Sequence, residues 1–183
     1  SISRLVYTFD SIGKLLGAQE GEVTLTAHGT TLTGFATLNS SLDAYGNRTT
    51  EIVRNHYEVI NGQPRVTETS RDAAIVNLDG STVQTRSLLR LNYDLVTAVL
   101  LGADEQPVEY VDILGEETGI FAGSVTLSPD ALGNQVQPLT ATAYIVPDWA
   151  AGLPNGGETT GRLLAGQTET FTASLNWDGS TFQ

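Results

Sequence analysis

Two short acidic segments share the pattern Asp-Ala-x-Gly-Asn, and they are where the residue types first suggest chemistry. They are Asp43–Asn47 and Asp130–Asn134. Carboxylate and amide oxygens placed around a glycine are ligands that a hard cation such as Ca²⁺ accepts. The same residues also form turns, in which the aspartate accepts backbone N–H groups and glycine or asparagine takes a positive φ. No further carboxylates follow at loop spacing and the EF-hand pattern is missing, so the sequence favours turns.

The densest group of carboxylates lies in the second half of the chain. Paired carboxylates catalyse glycoside hydrolysis, and clustered ones bind calcium. Most acidic runs are solvated surface instead. The first half does not mirror this group, since Gln19 stands where Asp104 lies in the second half. We therefore expect a solvated rim, with a divergent site in one half as the alternative. The group consists of Asp104, Glu105, Glu109, Asp112, Glu116 and Glu117.

Histidine and cysteine offer little for catalysis or metal binding. The chain has no cysteine, which excludes disulfides, thiol catalysis and cysteine-ligated metal sites. Its two histidines, His28 and His56, are far apart in sequence and are interpreted as ordinary strand residues. No Gly-x-Ser-x-Gly, His-Glu-x-x-His or phosphate-binding glycine loop is present. We therefore predict no enzyme activity, no catalytic, cofactor-binding or metal-binding residues, and no cofactor.

Aromatic side chains are the candidates for a carbohydrate-binding surface. Trp177 follows the alternating residues of a strand, and we place it in the core. Trp149 lies in a segment rich in proline, alanine and glycine, and Tyr110 lies among the acidic residues. If the protein is a binding module, Trp149 and Tyr110 are the predicted exposed aromatics of a shallow groove.

The charge balance limits the classes of partner. The chain of 183 residues has 21 acidic and 9 basic residues, a net charge of -12 and a pI near 4.3. So few cations cannot neutralise a row of phosphates, which excludes nucleic-acid binding and disfavours an anionic membrane surface. The longest apolar stretch, Leu95–Leu101, is far shorter than the ~20 residues of a spanning helix, so we expect no membrane insertion. The thiol-free, Thr-rich composition suits a secreted, cell-surface or virion protein, and Ser1 is compatible with removal of a signal peptide or of an initiator Met.

Internal similarity runs through the chain in the same order in both halves. Asn77–Gln84 recurs as Asn176–Gln183 with six of eight residues identical, and we interpret the shared Asp-Gly-Ser-Thr as a turn. We infer a tandem duplication with residues 1–85 and 86–183 as two β repeats, the extra residues of the second falling in Pro147–Gly161. The further matched segments are Arg4–Tyr7 with Arg90–Tyr93, Leu15–Glu20 with Leu100–Glu105, Phe35–Ala36 with Phe121–Ala122, Asp43–Asn47 with Asp130–Asn134, and Thr67–Thr69 with Thr168–Thr170.

Hydrophobic alternation places these segments on strands. Apolar and polar residues alternate from Phe171 to Trp177, with the period of a half-buried strand. Asn61-Gly62 and Asp79-Gly80 stand between alternating runs and predict hairpin turns. Only Asp10–Gln19 and Asp94–Gly102 fit a helical turn or two. The pattern predicts an all-β protein of tandemly duplicated antiparallel β-sandwich or barrel repeats, with about five or six strands per copy and a core that the copies can share.

Three functions remain open on this basis. We favour a non-enzymatic structural subunit that self-assembles through β-strand contacts into an extracellular filament or a tube- or capsid-type virion assembly. The alternatives are a secreted carbohydrate- or surface-binding β module, with or without calcium, and an enzyme working inside a barrel. The terminal strands Ser1–Phe9 and Phe171–Gln183 are the predicted contacts of a homo-oligomer or polymer. They either close beside each other within one monomer or join neighbouring copies head to tail, and we expect the second.

Overall fold

The computed structural model describes residues 1–114, 118–145 and 164–182, and these residues form an all-β, antiparallel structure without a helix. The predicted fold class is confirmed at this level. Runs rich in Thr, Val and Ile form strands because branched side chains fit a pleated surface. The strands of the described residues are β1 (Leu5–Phe9), β2 (Leu15–Glu20), β3 (Glu22–Ala27), β4 (Thr30–Phe35), β5 (Thr37–Leu42), β6 (Arg48–Ile60), β7 (Gln63–Val76), β8 (Thr82–Tyr93), β9 (Leu100–Glu105), β10 (Pro107–Val111), β11 (Thr118–Ala122), β12 (Ser124–Pro129), β13 (Gln135–Ile145), β14 (Leu164–Leu175) and β15 (Thr181–Phe182).

One nine-stranded sheet dominates the fold. Its order is β15-β14-β13-β12-β8-β7-β6-β5, and β9 pairs with β8 beside this path. Within the described residues no pairing joins β5 to β15, so the sheet is open and does not close into a barrel. Ile2 adds an isolated antiparallel bridge to Leu38 at the β5 edge. The N-terminal residues and β15 therefore lie at opposite edges of the sheet.

Strand β8 is the centre of this sheet and is continuous through residues 85 and 86. One of its edges pairs with β7 from Thr82 to Arg90. Its other edge pairs first with β12 at Gln84–Arg86 and then with β9 at Leu89–Tyr93. The residues on either side of the boundary between the two halves therefore form a single long strand. The division into two domains at residue 85 stays a prediction.

Three hairpins, β1–β2, β3–β4 and β10–β11, stand apart from the large sheet. Hairpin β3–β4 packs against β5 through the buried cluster of Val23, Ala36 and Leu38. Hairpin β10–β11 is tied to β13 by the buried amide of Gln137, which donates to the carbonyl of Val111 at 2.7 Å. Small apolar clusters and buried polar ties therefore hold the hairpins.

The two segments in which the sequence allows a helical turn or two form hairpin turns and no helix, although the Ala98 N–H donates to the Asp94 carbonyl at 2.8 Å as in a single helical turn. Asp10 Oδ1 accepts the backbone N–H groups of Ile12 and Lys14 at 3.0 and 2.8 Å. Asp94 Oδ1 accepts the N–H groups of Val96 and Thr97 at 3.0 and 2.7 Å. An aspartate that binds the backbone just ahead of it stabilises a turn in competition with a helix. The chain then enters β2 and β9 directly.

Candidate functional site

Four turns lie side by side at one end of the large sheet, and we call them the turn end. They connect β5 to β6, β7 to β8, β12 to β13 and β14 to β15. In the first of them, Asp43 Oδ1 accepts the N–H groups of Tyr45 and Asn47, both at 2.9 Å. The Asn47 amide donates to Asp43 Oδ2 at 2.8 Å, and its oxygen accepts the N–H of Leu78 at 3.1 Å. One asparagine thus links two neighbouring turns.

The second half repeats this arrangement. Asp130 Oδ1 accepts the N–H groups of Leu132 and Asn134 at 2.8 and 2.9 Å. The Asn134 amide donates to Asp130 Oδ2 at 2.7 Å, and its oxygen accepts the N–H of Trp177 at 3.0 Å. Glycines with positive φ, Gly46 at 89° and Gly133 at 91°, complete the two turns. The predicted turns are therefore confirmed at both positions.

The carboxylates at the turn end are occupied by N–H and O–H donors. The side-chain hydrogen bond from Asn134 is the largest influence on Asp130, and together with backbone N–H groups it lowers the pKa of that carboxyl despite some desolvation. The hydroxyl and backbone N–H of Ser81 likewise lower the pKa of Asp79, the hydroxyl donating at 2.7 Å. Within the described residues no three His, Cys, Asp or Glu side chains gather where a metal ion could be held. The carboxylates of these aspartates therefore stabilise turns by accepting hydrogen bonds within them.

The acidic group of the second half is spread over several elements. Glu105 Oε2 accepts the N–H of Thr142 at 2.6 Å, and Asp104 Oδ2 accepts the amide of Asn92 at 2.7 Å. Asp112 accepts the N–H of Leu114 at 2.9 Å within its own turn. Glu109 lies on the exposed side of β10. The remaining two residues of the group, Glu116 and Glu117, lie outside the described residues.

A buried glutamate in the first half was not identified from the sequence. Glu20, only 9% exposed, accepts the backbone N–H of Asn55 at 3.1 Å and its side-chain amide at 3.0 Å. Its counterpart in pairing position is Glu105, whose carboxylate binds Thr142 on β13. The signal was present, because both glutamates end the matched segments Leu15–Glu20 and Leu100–Glu105. These carboxylates connect β2 to β6 and β9 to β13.

The aromatic and histidine candidates are dispersed. Trp177 lies in the turn after β14 and is 75% exposed, so its predicted core position is wrong. The Asn176 amide donates to Ser180 Oγ at 2.7 Å and starts the turn before the alternation can continue. His56 lies on β6 as expected, whereas His28 occupies a turn with φ of 50°. Trp149 and the segment Pro147–Gly161 lie outside the described residues.

Tyr110 does line a cavity, of about 330 Å³, between the hairpins and the large sheet. Its ring packs on Gly119 of the neighbouring strand, where a Cβ atom would lie 2.6 Å from Tyr110 Cζ. Leu32 from hairpin β3–β4 and Leu127 from β12 line the same cavity. Side chains from both halves of the chain therefore meet here.

Strands β7 and β14 differ in how their second sides are paired. β7 is paired on both sides, with β6 and with β8. β14 is paired with β13 on one side, but on the other only Ser174 and Leu175 are paired, with β15. Every residue from Ala165 to Thr172 is exposed, and Phe171 is 60% exposed. The second side of Ala165–Thr172 has no pairing partner among the described residues, and we call it the open β14 edge.

A scan against known protein families finds no match, and neither a curated protein nor a solved structure is found to be similar to this chain. The residues that the structure describes include no helix of the length and hydrophobicity needed to cross a bilayer.

Proposed function

We propose that the protein is a non-enzymatic structural subunit that self-assembles through β-strand contacts, as part of an extracellular filament or a virion. The single observation that carries this proposal is the open β14 edge. β14 is 12 residues long and unpaired over most of one side among the described residues, while β7 has the partner β8 along the corresponding side. An unpaired row of N–H and C=O groups is a template for another strand.

The composition of β14 supports an adhesive edge. Monomeric proteins protect edge strands with lysine, proline, bulges or short length. Leu164–Leu175 contains neither lysine nor proline, carries one charged residue, Glu169, and is rich in threonine. Threonine and phenylalanine favour strand pairing. The edge therefore lacks lysine and proline, and its one register irregularity, opposite Thr142–Tyr144, lies before Thr168 and leaves Thr168–Leu175 regular.

Tandem duplication of the two halves accounts for the difference between β7 and β14. The second side of β7 is paired with β8, whereas the second side of β14 is mostly unpaired among the described residues. β5, β6 and β7 follow one another in the sheet as β12, β13 and β14 do. Leu5 pairs with Glu20 and Leu89 with Glu105, and a register irregularity follows in both hairpins. This pairing aligns Leu5 with Leu89, whereas the sequence match of Arg4–Tyr7 with Arg90–Tyr93 set Leu5 against Leu91, and that match is two residues out of register.

The halves also share a layered core in this proposal. Hairpins β3–β4 and β10–β11 form a second layer above the large sheet, and the cavity between them takes side chains from both. In this arrangement the large sheet is one complete layer of a β-sandwich and is common to both repeats, and the two hairpins form a partial second layer. Asp43, Asp130 and Glu20 are among the carboxylates hydrogen-bonded within turns or between elements, which supports a structural role for the chain. The thiol-free composition supports a place outside the cell or in a virion.

Self-assembly is tested with the purified chain across a range of concentrations. Sedimentation velocity and negative-stain electron microscopy are expected to show linear polymers above a critical concentration and monomers below it. A protein that sediments as a monomer throughout the millimolar range contradicts the proposed function.

A binding module is the second candidate, because Tyr110 presents an aromatic ring in a cavity of about 330 Å³ lined also by Glu109 and Gln137. Aromatic and polar side chains in one groove are typical of small-ligand sites. Binding to a glycan array that is lost in Tyr110→Ala, in a protein that stays monomeric, favours this candidate over self-assembly.

A further inference from the structure

We propose that residues Ser1–Val6 of a second copy add to the open β14 edge as an antiparallel strand, with Ile2 opposite Phe171 and Arg4 opposite Glu169. This pairing rests on the self-assembly proposed above and specifies its partner and register. The next copy of the same chain supplies the strand that β14 lacks.

The pairings of β8 identify the N-terminal segment as the matching strand. Arg86 of β8 pairs with Val125 of β12, and Ile2 pairs with Leu38 of β5 through backbone bonds of 2.8 Å in both directions. The end of β8 pairs with β9 as β1 pairs with β2. One side of the N-terminal segment thus pairs with β5 and β2, as the corresponding side of β8 pairs with β12 and β9. Its other side, unpaired in the described residues, corresponds to the side of β8 that binds β7.

The register follows from the equivalence of β7 and β14. Thr69 of β7 pairs with Asn55, and Thr168 of β14 pairs with Thr142, each at the corresponding point of the preceding strand. Thr69 also pairs with Leu89, whose counterpart is Leu5. Leu5 of the added copy therefore lies opposite Thr168. Counting back along the antiparallel ladder sets Arg4 opposite Glu169, Ser3 opposite Thr170 and Ile2 opposite Phe171.

The side chains at these positions are complementary. Arg4 and Glu169 have opposite charges and are both exposed in the monomer. Ile2 and Phe171 form an apolar pair and are 37% and 60% exposed. Directly opposed ion pairs and aromatic–aliphatic pairs both stabilise a β-ladder.

The β7–β8 ladder has a different pair of residues at the position of Phe171 and Ile2, and its two members are also complementary to each other. The β7–β8 pair that corresponds to Phe171 and Ile2 is Asp72 and Arg86. Their side chains form a salt bridge of 3.0 Å. Exchanging the strands sets Ile2 against Asp72, which then keeps only its ion pair with Arg54, or sets Arg86 against Phe171, which offers the guanidinium no carboxylate. The two ladders therefore discriminate between the internal strand and the added one, as specific interfaces do when they penalise the wrong partner.

The sheet order sets the geometry of the assembly. The N-terminal segment lies beside β5 and the open edge belongs to β14, at opposite edges of the sheet. A contact between two different patches joins copies head to tail and leaves each end free for another copy. The nine-stranded sheet thereby continues from one copy into the next.

Disulfide crosslinking tests the register in a chain that has no cysteine of its own. Directly paired residues have Cα atoms about 4.5–5.5 Å apart, within reach of a disulfide. Ile2→Cys combined with Phe171→Cys is expected to give a ladder of covalent oligomers on oxidation. The control, Ile2→Cys with Glu169→Cys, is two residues out of register and is expected to crosslink at least about tenfold more slowly. Polymers with equal crosslinking in both variants, or with none, overturn the register while leaving self-assembly standing, and a disulfide that joins the two introduced cysteines within one chain overturns it too.

Charge exchange provides an independent test in the full chain. Arg4→Glu alone and Glu169→Arg alone place like charges opposite each other, and each is expected to raise the critical concentration about three- to tenfold. In an equimolar mixture, copies of the two variants that alternate have opposite charges at each junction, so the mixture is expected to assemble within about twofold of the critical concentration of the unaltered chain. Impairment that persists in the mixture overturns the Arg4–Glu169 pairing. Absence of polymers from the unaltered chain removes both this pairing and the proposed function.

Discussion

The carboxylate of Glu20 binds Asn55 twice, through the backbone N–H at 3.1 Å and the side-chain amide at 3.0 Å. Asn55 in turn accepts the hydroxyl of Thr69 at 2.9 Å. Three strands, β2, β6 and β7, are thereby connected by one chain of side-chain hydrogen bonds. Hairpin β1–β2 keeps its position on the sheet through this connection.

Removing the Glu20 carboxylate is expected to destabilise the monomer. Glu20→Ala leaves the N–H of Asn55 without its partner in a half-buried position, and such a loss costs about 1–3 kcal/mol. The free energy of unfolding, measured in urea below the critical concentration, reports the change. Glu22→Ala on the neighbouring strand alters an exposed carboxylate and serves as the matched control. Equal stability of the two variants contradicts a structural role for Glu20.

Backbone conformation makes Gly80 sensitive to substitution. Gly80 has φ of 88° and open space around its missing Cβ, so Gly80→Ala changes backbone strain and adds no clash. We expect a loss of about 1–2 kcal/mol in the free energy of unfolding. Gly17→Ala is the control, because Gly17 also has open space but no positive φ, and its stability should change little. Similar effects at both positions are inconsistent with a strained turn.

The stability of the fold is expected to fall at both ends of the pH range. The Asn134 side chain lowers the pKa of Asp130 below its ordinary 3.8, so this carboxylate stabilises the fold above that value, and the contribution is lost as the pH falls through the folded-state pKa. Burial first, and the charge of Glu105 second, raise the pKa of Tyr144 above 10.0, so its contribution is present below pH 10.0 and lost as the pH rises through the folded-state pKa. Urea unfolding at a series of pH values measures both limbs. An acid limb that is unchanged in Asp130→Asn contradicts the first assignment.

A free peptide with the sequence of Ser1–Phe9 is expected to block polymer growth by occupying the open β14 edge. Polymer length should fall as the peptide concentration rises, because a capped edge accepts no further copy. The same peptide with Arg4→Glu should need about three- to tenfold more material for the same effect. Light scattering during assembly measures the inhibition. A scrambled peptide that inhibits equally well shows that the effect does not depend on pairing.

Local features of this fold were predictable from the sequence, whereas its sheet arrangement was not. Asp-Gly-Ser-Thr and Asp-Ala-x-Gly-Asn predicted turns, because each aspartate binds backbone N–H groups only two to four residues away. The order of the nine-stranded sheet depends on pairings such as Val125 with Arg86, which no local pattern encodes. Alternation alone also misplaced Trp177, since it cannot show that the strand stops at a turn held by the side chains of Asn176 and Asp178.

The duplication-based alignment shows a second limit. Under the proposed duplication, Arg4–Tyr7 matches Arg90–Tyr93 by residue identity, but the residues that pair with Glu20 and Glu105 are Leu5 and Leu89. Two residues is one period of a strand, so the mismatched alignment keeps the same face inward and hydrophobicity cannot detect the error. Only the pairing partners, Glu20 and Glu105, distinguish the two alignments.

A twisted sheet cannot be extended by translation alone, and the nine-stranded sheet therefore determines the symmetry of any polymer built by adding strands to it. With the added N-terminal segment continuing the line of β15, each copy occupies about eight strand positions. Strands lie about 4.8 Å apart and rotate by roughly 20–25° from one to the next, so each copy advances about 38 Å and turns by roughly half a revolution. The filament is then a helix of folded subunits with its strands across the axis, and oriented fibres should diffract near 4.8 Å along the meridian without any amyloid conversion.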